Sequence, residues 1–210
     1  MFDLFKLYKK NYKAFPEMIE TGGKFYAINA DFRNILRIFA LTNDENIRAD
    51  KKPGKIAEWF FEDDMPGHEV LLEAFFEFVG AGFSRPQTQT NANNGRDDPA
   101  PTNLWTNETH EPQFCFDFDA GEIYAGFLSE YDIDLISVDF LHWYKFMILL
   151  ENLSPESAFK RKIELRFMDL SGLENNRRLT DAKISVQLPE KNYNTQDSEE
   201  FNEIWGKAGN

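Results

Sequence analysis

Apolar side chains recur at helical spacing in the first half of the chain and predict three helices. Asp31 suits the N-cap of the first helix, and the apolar face follows at i, i+3, i+4 and i+7: Phe32, Ile35, Leu36 and Phe39. A shorter helix over residues 55–62 turns three side chains inward: Ile56, Trp59 and Phe60. The third helix stops near Gly80 and Gly82, and it buries Leu71, Leu72, Phe75, Phe76 and Val79.

The segment before the first of these helices predicts a β-hairpin. Two short extended runs flank Thr21-Gly22-Gly23, and paired glycines accept the positive φ angles of a tight turn. Residues 1–15 fit a short amphipathic helix with exposed lysines. A helix packed on the domain, or a mobile arm, is favoured over docking on a membrane surface.

The second half of the chain also has a helical pattern. Residues 122–131 place five apolar or aromatic side chains on one face: Ile123, Tyr124, Phe127, Leu128 and Tyr131. The next helix is predicted to begin near Ser137 or Asp139, and it is apolar on almost every side, which is typical of a central helix. A last helix is predicted from the cap Ser154-Pro155-Glu156 through Phe159, Ile163 and Phe167 to Ser171-Gly172.

Two stretches carry few core-forming residues. Residues 84–113 are rich in Asn, Thr and Pro and predict a disordered loop or flexible linker. Within it, Trp105 is interpreted as an anchor of the loop on the domain, with a partner-binding anchor as the sharper alternative. Residues 174–210 predict a mobile tail. Its apolar triplet is favoured to dock on this protein or to be disordered, rather than to bind a partner: Phe201, Ile204 and Trp205.

The predicted fold class is therefore mainly α, with a helical core, a small N-terminal β-hairpin, a disordered middle loop and a mobile tail. The helical parts at residues 1–83 and 114–173 are expected to form one domain, joined by the linker at 84–113. A chain of 210 residues with 42% hydrophobic and 15% aromatic residues has ample material for such a core.

The net charge of −13 disfavours negatively charged binding partners. Nucleic acids and anionic membranes both favour a basic face, so neither is an expected partner. The acidic residues concentrate in a stretch without Lys or Arg: Asp117, Asp119, Glu122, Glu130, Asp132, Asp134 and Asp139. The single cysteine, Cys115, lies between two phenylalanines, which favours a buried, inert thiol in a reducing compartment. No secretion signal or bilayer-spanning run is evident, so a cytosolic protein is expected.

The sequence contains no recognisable catalytic or metal-binding constellation. His68, His110 and His142 stand apart from one another, and His142 is interpreted as a core or helix-face histidine bonded to a carbonyl. Asp117 and Asp119 alternate with phenylalanines, which is typical of a brief strand or of a lead-in to the next helix. They lack the spacing of a metal loop and a nearby histidine. No enzymatic activity, metal or cofactor is expected.

Four stretches of the chain carry a resemblance to a known family. They are GKFYAINADFRNILRI at residues 23–38, FDFDAGEIYAGFLSEYDIDL at 116–135, LHWYKFMILLENL at 141–153 and FKRKIELRFMDLSGL at 159–173. They resemble a family from tailed bacteriophages and prophages of Gram-positive bacteria. Its genes typically lie just before the tape-measure gene, and its members are regarded as tail-assembly chaperones.

The resemblance implies a non-enzymatic tail-assembly chaperone of a noncontractile-tailed phage or prophage. Such a protein would bind the tape-measure protein and help to recruit tail-tube subunits. It would act in the host bacterial cytoplasm and be absent from the mature virion. The alternative is a structural virion component, such as a minor tail or head–tail joining protein. The aromatic content also permits self-association.

The acidic helix at residues 122–131 and its flanks form the predicted contact surface. An acidic surface keeps a coating protein soluble, and aromatic side chains among carboxylates suit many weak contacts. Four residues would supply charge: Asp119, Glu122, Glu130 and Asp132. Two would supply apolar area: Tyr124 and Tyr131.

Overall fold

The computed structural model describes residues 15–44, 46–62, 64, 66–81, 113–171 and 176–189. Within these ranges the protein is mainly helical, with one antiparallel hairpin near the N-terminus, which confirms the predicted fold class. The elements are β1 (Met18–Thr21), β2 (Lys24–Ala27), α1 (Phe32–Thr42), α2 (Lys52–Phe60), α3 (His68–Ala81), α4 (Ala120–Tyr131), α5 (Trp143–Glu151), α6 (Ala158–Phe167) and α7 (Arg177–Ser185). None of these helices combines the length and the apolar character that a membrane span requires.

Three sequence predictions fall wholly or largely outside the described residues. They concern the amphipathic helix at residues 1–15, the loop at 84–113 with Trp105, and the apolar triplet in the C-terminal tail. All three stay predictions.

The described residues divide into two compact units. Residues 15–81 and 140–147 belong to the first unit, and residues 113–139 and 148–189 belong to the second. Helix α5 therefore contributes its residues through Met147 to the first unit and those from Ile148 onward to the second. The expectation that the helical parts form one domain stays a prediction.

The hairpin of the first unit turns at Gly22 and Gly23. Their φ angles of +58° and +74° lie in the left-handed region that a two-residue hairpin turn requires. The strands pair in register from Met18 with Ala27 to Thr21 with Lys24. The predicted hairpin is confirmed, with the paired glycines as its physical cause.

Helix α1 carries the central apolar face of the first unit. The Asp31 side chain accepts a hydrogen bond from the Arg33 backbone N–H at 2.9 Å, so Asp31 is the predicted N-cap. The buried face holds Phe32, Ile35, Ile38 and Leu41. The predicted core residues Leu36 and Phe39 are only half-buried, because they lie at the edge of this face.

Aromatic rings fill the space between α2 and α3. The Phe60 ring lies 5.1 Å from that of Phe75 and 5.4 Å from that of Phe78, centroid to centroid. Helix α2 begins at Lys52 rather than at residue 55, since Pro53 fits its first turn. Three residues predicted to be core are half-buried at the edges of α2 and α3: Trp59, Leu72 and Phe76.

Residues 140–147 complete the first unit by pairing with the start of α1. The Trp143 N–H donates to the Ala30 carbonyl at 2.7 Å, and the Phe32 N–H donates to the Leu141 carbonyl at 2.9 Å. The Phe146 ring stacks on that of Phe32 at 4.7 Å. Residues 23–38 and residues 141–147, which belong to two of the stretches that carry the family resemblance, thus meet in this unit.

In the second unit, α4 packs against α6, and α6 packs against α7. Its buried apolar residues are Phe114, Ile123, Phe127, Leu150, Leu153 and Phe159. Gly126 allows a close approach inside this core, because a Cβ atom there would lie 2.9 Å from Cδ1 of Leu153.

Several predicted helix limits in the second half of the chain are wrong. Helix α5 begins at Trp143, since the Asp134 carboxylate holds the earlier residues in a turn by accepting hydrogen bonds from Ile136 and Ser137. Helix α6 is capped by Ser157 rather than Ser154, and it ends at Phe167. Helix α7 was not predicted, because its exposed sequence has no buried residue to create an apolar period.

Candidate interaction surface around α4

Asp119, at the start of α4, is 1% exposed and belongs to a buried ion-pair cluster. Its Oδ1 lies 2.9 Å from Nη2 of Arg166 and 2.9 Å from Nζ of Lys162. Burial alone would raise the pKa of Asp119. Hydrogen bonds from Arg166, the Cys115 N–H and Lys162 outweigh that effect and hold the pKa below its ordinary value. The prediction of a surface charge at Asp119 is therefore wrong, since its carboxylate is buried and paired with Arg166 and Lys162 of the same chain.

Arg166 connects three segments of the second unit. Besides Asp119, its guanidinium donates to the carbonyl of Val186 at 2.7 Å and to that of Gln113. A buried charge is tolerated when it is paired and its donors are satisfied, and both conditions hold here. The sequence analysis missed Arg166 and Lys162. Their i, i+4 spacing, which places two cations on one side of a helix, is a signal that could have found them.

Glu122 also belongs to this cluster. Its Oε2 lies 3.0 Å from Nζ of Lys162, and its side chain is 32% exposed. Burial lowers the pKa of Lys162, but the hydrogen bonds that its ammonium donates to the Asp119 and Glu122 carboxylates raise the pKa above its ordinary value. The Glu122 carboxylate thus has an internal partner at the edge of the cluster.

Glu130 and Tyr131, at the end of α4, hydrogen-bond to residues in α5 and just after it. The Glu130 carboxylate accepts two hydrogen bonds from Ser154, one from its N–H and one from its hydroxyl, each at 2.8 Å. The Tyr131 hydroxyl donates to the Leu149 carbonyl at 2.9 Å. Burial, and then the charge of Glu130, raises the pKa of Tyr131. Both side chains therefore have structural roles inside the second unit.

Tyr124 and Asp132 remain as the predicted residues with free surface. Asp132 is exposed and ends α4 with φ of +55°, where its N–H donates to the Phe127 carbonyl. Tyr124 is half-buried, and the Asp134 carboxylate lies close enough to its hydroxyl to affect its ionisation. Burial and then the charge of Asp134 raise the pKa of Tyr124.

Two exposed apolar side chains accompany these residues. Leu128 is 42% exposed, and Ile136, in the turn that Asp134 holds together, is 77% exposed. Leu128 lies one helical turn from both Tyr124 and Asp132, so the three share one side of α4. We call Tyr124, Leu128, Asp132 and Ile136 the α4 surface. The apolar face predicted for α4 is only partly buried, because Ile123 and Phe127 are buried whereas Leu128 is exposed.

The chain matches a family model described as Bacteriophage Gp15 protein over residues 13–188, a range that includes every helix and strand described above. It belongs to the Bacteriophage Gp15 protein family. Members of this family are phage proteins of structure or morphogenesis. Neither the comparison with curated proteins nor that with solved structures found a match.

His142 of this Gp15-family chain is a structural residue of the first unit. Its Nε2 lies 2.9 Å from the Pro16 carbonyl, and its Nδ1 accepts a hydrogen bond from the Tyr144 N–H at 3.0 Å. This pair of contacts requires the neutral ring with its proton on Nε2. Burial lowers the pKa of His142, which favours the same form. The interpretation of a core histidine bonded to a carbonyl is confirmed.

Cys115 is half-buried, which corrects the expectation of full burial. Residues 114–119 form a lead-in to α4 rather than a strand, because the Asp119 carboxylate and N–H bond back to Cys115. Within the described ranges, no three His, Cys, Asp or Glu side chains are grouped so that they could hold a metal ion.

Proposed function

We propose that this Gp15-family protein is a non-enzymatic tail-assembly chaperone of a noncontractile-tailed phage or prophage. It binds the tape-measure protein through the α4 surface and helps to recruit tail-tube subunits. It acts in the host cytoplasm and leaves the tail before the virion is complete. The observation that carries the proposal is the exposure of Leu128, four residues before the exposed Asp132, and of Ile136, four residues after it. Exposed apolar side chains next to a charge are typical of protein-binding surfaces.

The chemistry of the α4 surface suits a helical partner that carries apolar and basic residues. A long helix that must stay soluble during assembly exposes apolar side chains, which Leu128 and Ile136 can cover. The negative charge of Asp132, on a chain of net charge −13, attracts lysines and arginines on that helix. A contact surface of four residues is small, so each contact is weak and can be replaced as assembly proceeds.

The bonding of the acidic and imidazole groups supports a non-enzymatic role. The carboxylate of Asp119 is held by two cations, and both ring nitrogens of His142 have hydrogen-bond partners. Groups engaged in this way stabilise the fold and are poorly placed to exchange protons with a substrate.

The apolar part of the proposal is tested by exchanging Leu128 and Ile136 for serine together. Leu128 is 42% exposed and Ile136 is 77% exposed, so neither belongs to the buried core and the fold should persist. Binding to the tape-measure protein should weaken about tenfold, since loss of a central apolar contact typically costs more than about 1 kcal/mol. The control is Ile184→Ser on α7, where an isoleucine is 65% exposed. Equal binding by the double variant and the control, measured by pull-down, would overturn the α4 surface.

The electrostatic part is tested with Asp132→Asn, because asparagine tolerates the left-handed backbone of that position. Binding should weaken more at low salt than at high salt, since salt screens exposed charges. Asp117→Asn, which also removes an exposed carboxylate, is the control. Equal weakening at every salt concentration counts against an electrostatic contribution from Asp132.

A further inference from the structure

A basic surface with an aromatic centre lies on α1 and α2 of the first unit. The guanidinium carbon of Arg37 is 3.4 Å from the centroid of the Trp59 ring, and Nζ of Lys55 is 5.9 Å from the same centroid. Arg37 and Lys55 are exposed, and Trp59 is half-buried. Trp59 was expected to point inward, but it supports two cations at the surface instead. We call these three residues the Trp59 surface.

The cations of the Trp59 surface have no acidic partner among the described residues, whereas their neighbours do. The Arg33 guanidinium pairs with Asp31 at 2.8 Å, and Asp50 pairs with both Arg48 and Lys51. An arginine stacked flat on a ring keeps its N–H donors directed outward from the ring edge. Arg37 is therefore positioned to bind a carboxylate, with Lys55 as the second cation.

A run near the C-terminal end of the sequence has chemistry that matches this surface. Residues 197–205 read DSEEFNEIW, in which four carboxylates are interleaved with three apolar residues. The acidic residues near α4 are poorer candidates, because the Asp119, Glu122 and Glu130 carboxylates already have partners in the second unit. The carboxylates of residues 197–205 can pair with the two cations, and the apolar side chains of the same residues can pack against the Trp59 indole. Residues 197–205 are therefore complementary to the Trp59 surface.

We infer that the Trp59 surface binds the acidic and aromatic segment 197–205 of the C-terminal tail. The contact pairs tail carboxylates with Arg37 and Lys55 and places tail apolar side chains against Trp59. It is independent of the proposed function, because it uses none of the residues of the α4 surface.

Zero-length carbodiimide coupling of the purified full-length protein tests this contact, since the reagent joins a lysine amine to a carboxylate only when the two touch. Mass spectrometry should find Lys55 joined to Asp197, Glu199, Glu200 or Glu203 at low salt. Coupling of Lys162 to Glu122, which lie 3.0 Å apart, is the internal reference that shows the reagent has worked. High salt should reduce the tail coupling more than the reference.

A charge variant and its control separate this contact from general attraction. Arg37→Gln should lower the yield of Lys55–tail coupling about threefold, as loss of a surface-charge interaction of ordinary strength predicts. Arg178→Gln removes an exposed arginine from α7 and should leave the yield unchanged. An equal loss in both variants would overturn the inference, as would absence of tail coupling while the reference forms. Coupling of Lys55 to residues 117–139 of a second copy would also overturn it, in favour of a dimer contact.

Discussion

Asp119 and Arg166 are the most deeply buried charged side chains among the described residues, at 1% and 4% exposure. Their pairing orders the lead-in to α4, helix α6 and the residue that follows α7, since Arg166 also donates to Gln113 and Val186. A buried pair of this kind adds little net stability when it is compared with apolar residues, but removing one partner leaves the other charge unpaired. Single substitutions here should therefore have large effects.

Asp119→Ala should lower the free energy of unfolding by about 3–5 kcal/mol, because the Arg166 guanidinium would remain buried without its counter-charge. Chemical denaturation monitored by circular dichroism measures the change. The matched control is Asp117→Ala, which removes an exposed carboxylate two residues away and should shift stability by less than about 0.5 kcal/mol. Similar losses in the two variants would contradict the structural role of Asp119.

The same carboxylate predicts a pH dependence. The folded-state pKa of Asp119 lies below its ordinary value of 3.8, so its ionisation stabilises the fold above about pH 4. That contribution is lost as the pH falls through the lowered folded-state pKa. The difference in unfolding free energy between the wild type and Asp119→Ala should therefore be constant near neutrality and narrow below about pH 4. A difference that stays constant down to about pH 2 would contradict a lowered pKa.

The sequence predicts single residues well where the cause is local. Asp31 as a cap, Gly22 and Gly23 in the turn, and His142 on a carbonyl are all confirmed. The burial of Asp119 could not be predicted from its neighbours. Its cation partner lies 47 residues away in the chain, and its own flanking pattern is typical of a surface charge.

At the level of elements, apolar periodicity correctly predicted the helices that carry a buried face, and it failed at their limits. Helix α6 starts at Ala158 with Ser157 as its cap, whereas Ser154, which has equal capping chemistry, donates to the Glu130 carboxylate instead. Helix α7 escaped prediction because it buries no residue, so its sequence lacks an apolar period. Which serine caps α6, and whether α7 packs on the unit through polar contacts, depends on residues distant in sequence. The local apolar pattern does not contain this information.

Alanine substitutions at the two glycines of α4 should have different effects on stability. Gly121→Ala should stabilise the protein by about 0.5–1 kcal/mol, since the position is exposed and nothing lies within 4 Å of the added Cβ. Gly126→Ala gains the same helix propensity but places its Cβ 2.9 Å from the buried Leu153 side chain. It should be less stable than Gly121→Ala by at least about 1 kcal/mol. Thermal unfolding compares the two, and equal stability would contradict the close packing of α4 on Leu153.

For the whole molecule, the sequence predicted the fold class and only part of the candidate surface. Of the six proposed contact residues, only Tyr124 and Asp132 lie on the α4 surface. Asp119, Glu122, Glu130 and Tyr131 bind groups inside the second unit. Leu128 and Ile136 were not among the predicted contact residues, because an apolar pattern does not show which side chains remain exposed in the fold. Which side chains find internal partners depends on contacts distant in sequence.

Co-expression with a phage tape-measure protein from the same genome tests the central claim most directly. The tape-measure protein is produced with this chain, with the Leu128→Ser and Ile136→Ser double variant, or alone, and the soluble fraction is analysed by pull-down. We expect a soluble complex with the wild-type chain, a lower yield of it with the double variant, and none when the tape-measure protein is produced alone. An insoluble tape-measure protein and no complex with the wild-type chain would contradict the central claim, and detection of this chain in purified virions would then favour a structural virion component.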